Sequence, residues 1–161
     1  MSTIKTNAVR LLEQENIEFA LHEYPWDGKT APDGATVARE MKQDPNQVFK
    51  TLVARGSSGE HYVFDIPVEA TLDLKKAAKA VGEKSIAMIP LKELLPLTGY
   101  VHGGCSPIGM KKQFQTVIDE TCILYDAIFV SAGKIGLQVE INPNDLLSFI
   151  NGSVADLIAV R

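Results

Sequence analysis

The 161-residue chain predicts a mixed α/β domain. Three observations carry that expectation. Several stretches alternate apolar and polar residues over strand lengths, others repeat apolar residues at helical spacing between them, and the composition is 45% hydrophobic and 22% charged, which is ordinary for a globular fold. A chain of this length buries roughly two thirds of its unfolded surface, so one domain over 1–161 is sufficient.

After Thr6-Asn7, which can cap, Ala8, Val9, Leu11, Leu12 and Ile17 predict a helix over about 7–15. E-F-A-L-H-E-Y (18–24) alternates as a strand does, and P-W-D-G-K-T-A-P-D-G (25–34), which holds the only tryptophan, reads as a loop. A short helix is expected over 35–42, ending before Asp44-Pro45. Strands at 47–54 and 61–68 flank R-G-S-S-G-E as a hairpin. Within the first, Val48, Lys50, Leu52 and Ala54 share one face and Phe49, Thr51 and Val53 the other. Asp73 can cap a helix over 74–81. A strand at 85–89 and a proline-initiated helix at 90–95 follow. T-V-I-D (116–119), T-C-I-L-Y (121–125), A-I-F-V-S (127–131) and L-Q-V-E-I (137–141) read as strands, and Pro143-Asn144-Asp145 starts a last helix near 146–150.

Charge and cysteine usage narrow the function classes. The net charge is -4, yet residues 71–112 hold seven Lys against three Asp/Glu, while both flanks are acidic. Lys75, Lys76, Lys79, Lys84, Lys92, Lys111 and Lys112 therefore form either a local positive field suited to phosphates or a solvated face. Two cysteines do not make a disulfide framework, and neither has metal-ligand spacing with His22, His61 or His102, so no metal and no cofactor is expected. A reducing cytoplasm is the expected compartment. No segment resembles a signal peptide or a membrane span, so no membrane partner is expected.

The chemistry concentrates in V-H-G-G-C-S-P-I-G-M-K-K (101–112). Cys105 near His102 suggests a cysteine nucleophile, but extended backbone would send those two side chains to opposite faces unless a glycine turn intervenes. The alternative is a packed thiol in a tight turn. Cys122 is read as packing. Gly103-Gly104, followed by Ser106-Pro107 and Gly109, can aim backbone N–H groups at an oxyanion or phosphate, or can simply make a turn. Lys50 interrupts an apolar strand, so it must reach solvent, pair with a ligand or guard a sheet edge. Ser131 at a strand end and Tyr24 before the long loop suit a pocket as well as local packing.

H-x-Y (22–24), V-F-K-T-L-V (48–53), L-D-L-K-K-A-A-K-A-V-G (72–82), T-G-Y-V-x-G-G-x-S-P-I-G-x-K-K (98–112) and V-S-A-G-K-I-G-L (130–137) together resemble the YbaK-type Cys-tRNA(Pro) deacylases, relatives of the editing domain inserted in bacterial prolyl-tRNA synthetases. The resemblance runs essentially end to end. It implies a mixed, barrel-like β-sheet surrounded by helices, and trans-editing of tRNA mischarged with cysteine. The implied partners are the acceptor end of that tRNA and prolyl-tRNA synthetase in a ternary complex. It further implies catalytic roles for Lys50, Gly103 and Gly104, substrate contacts from Tyr24, Thr51, Ser106, Ser131 and Gln138, and tRNA contacts from Lys111 and Lys112. In the implied mechanism the substrate's own thiol attacks its ester, so orientation supplies much of the rate. Cys105 stands where many relatives carry an aliphatic residue. Gln138 stands where some carry aspartate, and K-T-A-P-D-G-A (29–35) in the early loop lacks an expected aromatic. A related deacylase with another small amino acid preference, a non-catalytic tRNA- or synthetase-binding module and a cysteine-dependent hydrolase are the alternatives.

Overall fold

A computed structural model describes residues 5–160, so part of the N-terminal stretch read for targeting signals lies outside the described residues. The chain runs α1 (Asn7–Gln14), β1 (Phe19–Glu23), α2 (Gly34–Met41), β2 (Phe49–Gly56), β3 (His61–Pro67), α3 (Leu74–Val81), β4 (Ile86–Met88), α4 (Leu94–Thr98), β5 (Gln115–Asp119), β6 (Ile128–Lys134), β7 (Leu137–Ile141), α5 (Pro143–Ile150) and β8 (Ser153–Ala155). The expected mixed α/β class is present. The strands, however, form two sheets ordered β1-β7-β6 and β4-β2-β3-β5-β8, not one closed barrel. They meet through an isolated parallel bridge between Val48 and Phe129. Just before Val48, the 3-10 turn Pro45–Gln47 bends the chain, which prevents the pairing from extending backward.

Local chemistry explains most boundaries. Thr6 Oγ1 accepts from Val9 N–H and donates to the Ala132 carbonyl, so the α1 cap also ties that helix to β6. Asp73 accepts from the Lys75 and Lys76 N–H groups, and Gly82 closes α3 in the left-handed region at φ 74°. α2 ends at Met41 with Lys42 left-handed at φ 58°, two residues earlier than the proline would require.

Two local expectations are corrected. T-C-I-L-Y is not a strand. Glu120–Leu124 forms a 3-10 turn because Asp119 Oδ2 accepts from both the N–H and the hydroxyl of Thr121, drawing the backbone round. The helix expected over 90–95 divides into a 3-10 turn at Leu91–Glu93 and then α4.

Apolar burial holds the layers together. Phe49, Ile108, Ile118, Ile128, Val139 and Leu146 pack with α1 and α5 over the smaller sheet. Phe64, Ile66 and Val117 pack under Ala77 and Ala78 of α3. Each such large side chain contributes about 1.5–3 kcal/mol on burial. Asp119 Oδ1 also accepts from Leu157 N–H at 2.9 Å, fastening the C-terminal segment to β5.

Candidate active site

A cavity of about 300 Å³ lies along the seam between the two sheets. From the larger sheet, β2 supplies Lys50, Thr51 and Leu52. The smaller sheet supplies Ser131 and Gln138, which face each other in the β6–β7 register, and Tyr24 lies just beyond β1 with its N–H on the Gly136 carbonyl. His102, Gly103 and Cys105 close one side, and Asp33, Gly34 and Val37 at the start of α2 close another. The structure thus brings together Tyr24, Lys50, Thr51, Gly103, Ser131 and Gln138.

Lys50 is opposite Ile66 in the β2–β3 register and has no ion-pair partner among the described residues. Burial lowers its ammonium pKa, because a desolvated cation is disfavoured. Its position offers a donor to a ligand oxygen. Ser131 Oγ accepts from Gly133 N–H at 3.1 Å, within the register shift of β6, which leaves its own hydrogen to give. Gln138 is 6% exposed, and its Oε1 is buried without a partner, a feature expected of a group that completes its bonding with a ligand. Tyr24 is also 6% exposed, and burial raises its phenol.

The glycine loop is built for close approach. Gly103 adopts φ 87°, and a Cβ there would lie 2.7 Å from the Ala31 Cβ. A Cβ at Gly104 would press to 3.0 Å from the Ile135 nitrogen. The loop is held by Tyr100 hydroxyl to the Ile108 carbonyl at 2.6 Å and by Asn7 Nδ2 to the Gly109 carbonyl at 2.8 Å. Four expected site residues, Gly104, Ser106, Lys111 and Lys112, fall outside the cavity lining. Gly104 gives its N–H to the Val101 carbonyl at 3.0 Å, closing the turn, so that donor is spent. Ser106 is fully buried, and its Oγ accepts from Ile108 N–H at 3.2 Å, which makes it a turn-forming side chain. Lys111 and Lys112 are exposed and away from the cavity wall. Lys111 runs across Gly99, and Lys112 Nζ sits 5.8 Å from the Phe114 ring centroid. Of the other lysines in the basic segment, Lys76 is committed to Asp156 and the Ile158 carbonyl.

Cys105 is 7% exposed, and burial, with Asp65 adding to it, pushes its thiol up to about 12. A thiolate nucleophile requires the opposite shift. Cys105 and His102 do line one cavity, yet the environment disables the thiol.

Asp65 is the residue that sequence reading passed over. It sits opposite Thr51 in the hairpin register, is fully buried, and accepts from Thr51 Oγ1 at 2.5 Å. Its Oδ2 has no partner, and burial pushes the carboxyl up to about 7 against that hydrogen bond. The signal available in sequence was one acid inside an apolar strand, V-F-D-I-P.

A second depression lies at the other end of the smaller sheet, lined by Glu18, Asp126, Glu140 and Asp145 among others. Four carboxylates repel a polyanion, so that surface does not suit phosphate-bearing ligands. No helix among the described residues is long and apolar enough to cross a membrane.

Residues 29–149 match the aminoacyl-tRNA editing domain. The chain is 44% identical over 153 residues to the Enterococcus faecalis protein EbsC, named as a candidate Cys-tRNA(Pro)/Cys-tRNA(Cys) deacylase, with 95% of this chain and 93% of EbsC covered. A crystal structure of a candidate trans-editing enzyme for prolyl-tRNA synthetase superposes with a TM-score of 0.81 at 25% identity, covering 98% of this chain and all of that one. The crystal structure of a hypothetical protein superposes with a TM-score of 0.85 at 19% identity, over 96% of this chain and all of the other, a likeness of fold alone. With the glycine loop, the strand lysine and the matched length in agreement, the chain belongs to the aminoacyl-tRNA editing domain family.

Proposed function

We propose that this chain is a trans-editing deacylase that clears cysteine from Cys-tRNA(Pro), and also from Cys-tRNA(Cys), by attack of the substrate's own thiol on its ester carbonyl. The observation that carries this reading is a cavity with a desolvated lysine and a tight glycine loop whose only lining thiol is unfit to attack. Sulfur attacks the carbonyl carbon, the terminal ribose oxygen leaves with a proton, and a cyclic thiolactone departs. An intramolecular attack held in geometry gains effective molarities of order 10⁵–10⁸ M, so no nucleophile is required of the protein.

Lys50 donates to the ester or ribose oxygens. The Gly103 segment brings backbone close to the carbonyl, where one well-aimed donor is worth about 10²–10³ in rate. Tyr24, Thr51, Ser131 and Gln138 hold the amino acid. Lys111 and Lys112 meet acceptor-end phosphates, and prolyl-tRNA synthetase delivers the substrate in a ternary complex in the cytoplasm. Reactivity then sets the selectivity. A small pocket separates near-isosteres by only ~1–3 kcal/mol, whereas serine and alanine esters lack the attacking sulfur.

A panel of tRNA(Pro) and tRNA(Cys) carrying cysteine, alanine, serine or proline tests the proposal by the rate of ester loss against an enzyme-free control. Loss confined to cysteinyl esters is the expected result. Binding of every ester with turnover of none would make the chain a recognition module. Turnover of alanyl or seryl esters would make it a deacylase of another preference, for which the unpartnered Gln138 Oε1 supplies the contact.

A further inference from the structure

Asp65 is buried beneath the cavity floor with one oxygen lacking a partner, and among the described residues Thr51 is the only side chain that hydrogen-bonds to it. The arrangement is directional. Thr51 Oγ1 gives its hydrogen to Asp65 Oδ1 at 2.5 Å, so the same oxygen presents only lone pairs to the cavity it lines. A hydroxyl fixed this way accepts hydrogen bonds and cannot donate them, and the carboxylate behind it makes the acceptor more negative. A buried, unpaired carboxylate is costly unless something cationic or strongly donating faces it. The nearby ammonium, Lys50, is the neighbouring residue of β2 and lines the same cavity, but it makes no ion pair with Asp65.

We infer that Asp65 is a positioning residue that holds Thr51 as a dedicated acceptor for the α-ammonium of an aminoacyl ester, so that the site selects esters bearing a free α-ammonium over esters lacking that charge. The inference rests on the deacylase reading and adds to it the recognition of the amino group. Ammonium in the cavity supplies the positive charge that Asp65 lacks, and donates to Thr51 Oγ1 while Thr51 donates to Asp65. The carboxylate never touches substrate. Its effect passes through one hydroxyl.

Burial raises the carboxyl to about 7, so the ammonium preference should weaken as pH falls below 7, a range in which the substrate's α-amine stays protonated. The ionisable groups near it are Cys105 in the overlying loop, Cys122 in the 3-10 turn, Asp119 beside Cys122, and Lys50 and His102 in the cavity. Both thiols are pushed well above neutrality by burial and stay uncharged across this range.

The test compares Cys-tRNA(Pro) with its isosteric analogue bearing a hydroxyl in place of the α-ammonium, using wild type, Asp65→Asn, Thr51→Val and Thr51→Ser. Asp65→Asn and Thr51→Val are expected to lower kcat/KM for the cysteinyl ester by about 10–100-fold, the scale of one charge-assisted hydrogen bond, chiefly through KM. Asp65→Asn should leave the hydroxy analogue within about threefold, Thr51→Val should cost that analogue clearly less than the cysteinyl ester, and Thr51→Ser, which keeps the hydroxyl, should recover most of what Thr51→Val loses. Comparing each variant with wild type on the same ester cancels the esters' differing intrinsic lability. Below pH 7, wild type should converge on Asp65→Asn. Equal losses on both esters, or no loss on either, overturn the inference while leaving the deacylase reading intact. A wild type inert towards Cys-tRNA(Pro) overturns that reading instead. Should Asp65→Asn fold poorly, the Thr51→Val and Thr51→Ser pair decides alone.

Discussion

Replacing Cys105 with alanine should leave deacylation of Cys-tRNA(Pro) within about threefold of wild type. The magnitude follows from the thiol's surroundings. With its pKa pushed from 9.0 to about 12, only ~3 × 10⁻⁵ of the side chain is thiolate at pH 7.5, about 10³-fold less than for an unperturbed thiol. An enzyme relying on that sulfur would forfeit this factor before chemistry began. Alanine removes one buried atom, at a cost of about 1 kcal/mol in stability. The assay is single-turnover loss of radiolabelled cysteine from tRNA(Pro), with thermal unfolding run in parallel to establish that the variant is folded. A drop of 10³-fold or more in a folded variant would refute the argument and restore Cys105 as the nucleophile.

Lys50→Ala should lower kcat/KM by about 10²-fold with little change in stability, and Lys50→Arg should rescue it poorly because the wider guanidinium does not fit the same seam; steady-state kinetics read both. Gly103→Ala must place a Cβ 2.7 Å from that of Ala31 at φ 87°, so a loss of ~1–3 kcal/mol and a larger loss of turnover are expected from urea unfolding and the deacylation assay together. Asp119→Ala strips the acceptor from Thr121 and from the buried Leu157 N–H, and chemical denaturation should report a cost of about 2–4 kcal/mol. Asp65 has a folded pKa raised from 3.8 to about 7, so its contribution to stability is fully present below about pH 4 and is lost as pH rises through 7. The unfolding free energy should therefore fall from pH 5 to pH 8 in wild type, by an amount on the order of a few kcal/mol at most, and the part due to this group should vanish in Asp65→Asn.

What sequence made legible was local. α3 begins and ends where Asp73 and Gly82 place it, because a cap and a left-handed glycine act within one turn. The β2–β3 hairpin and the apolar company of Lys50 follow from alternation over a few residues. What escaped depended on partners far along the chain. Asp65 gains meaning only once Thr51, fourteen positions away, is set opposite it. Gly104 looked like an anion donor until Val101 claimed its N–H, and Ser106 looked like a pocket residue until Ile108 claimed its oxygen. T-C-I-L-Y has the composition of a strand, yet Asp119 bends it. The division into two sheets is a matter of which edges find each other, and no short window of residues states that.

The Val48–Phe129 bridge therefore does more than join two sheets. Lys50 and Thr51 hang on the hydrogen-bonded ladder of β2 and β3, whereas Ser131 and Gln138 hang on the ladder of β6 and β7, with Tyr24 just past the end of β1 tied to the Gly136 carbonyl. Each ladder keeps its own register, so a residue can change on one wall without displacing the other. Such a construction lets descent with modification resize the compartment for the amino acid while the apparatus that grips the ester stays in place.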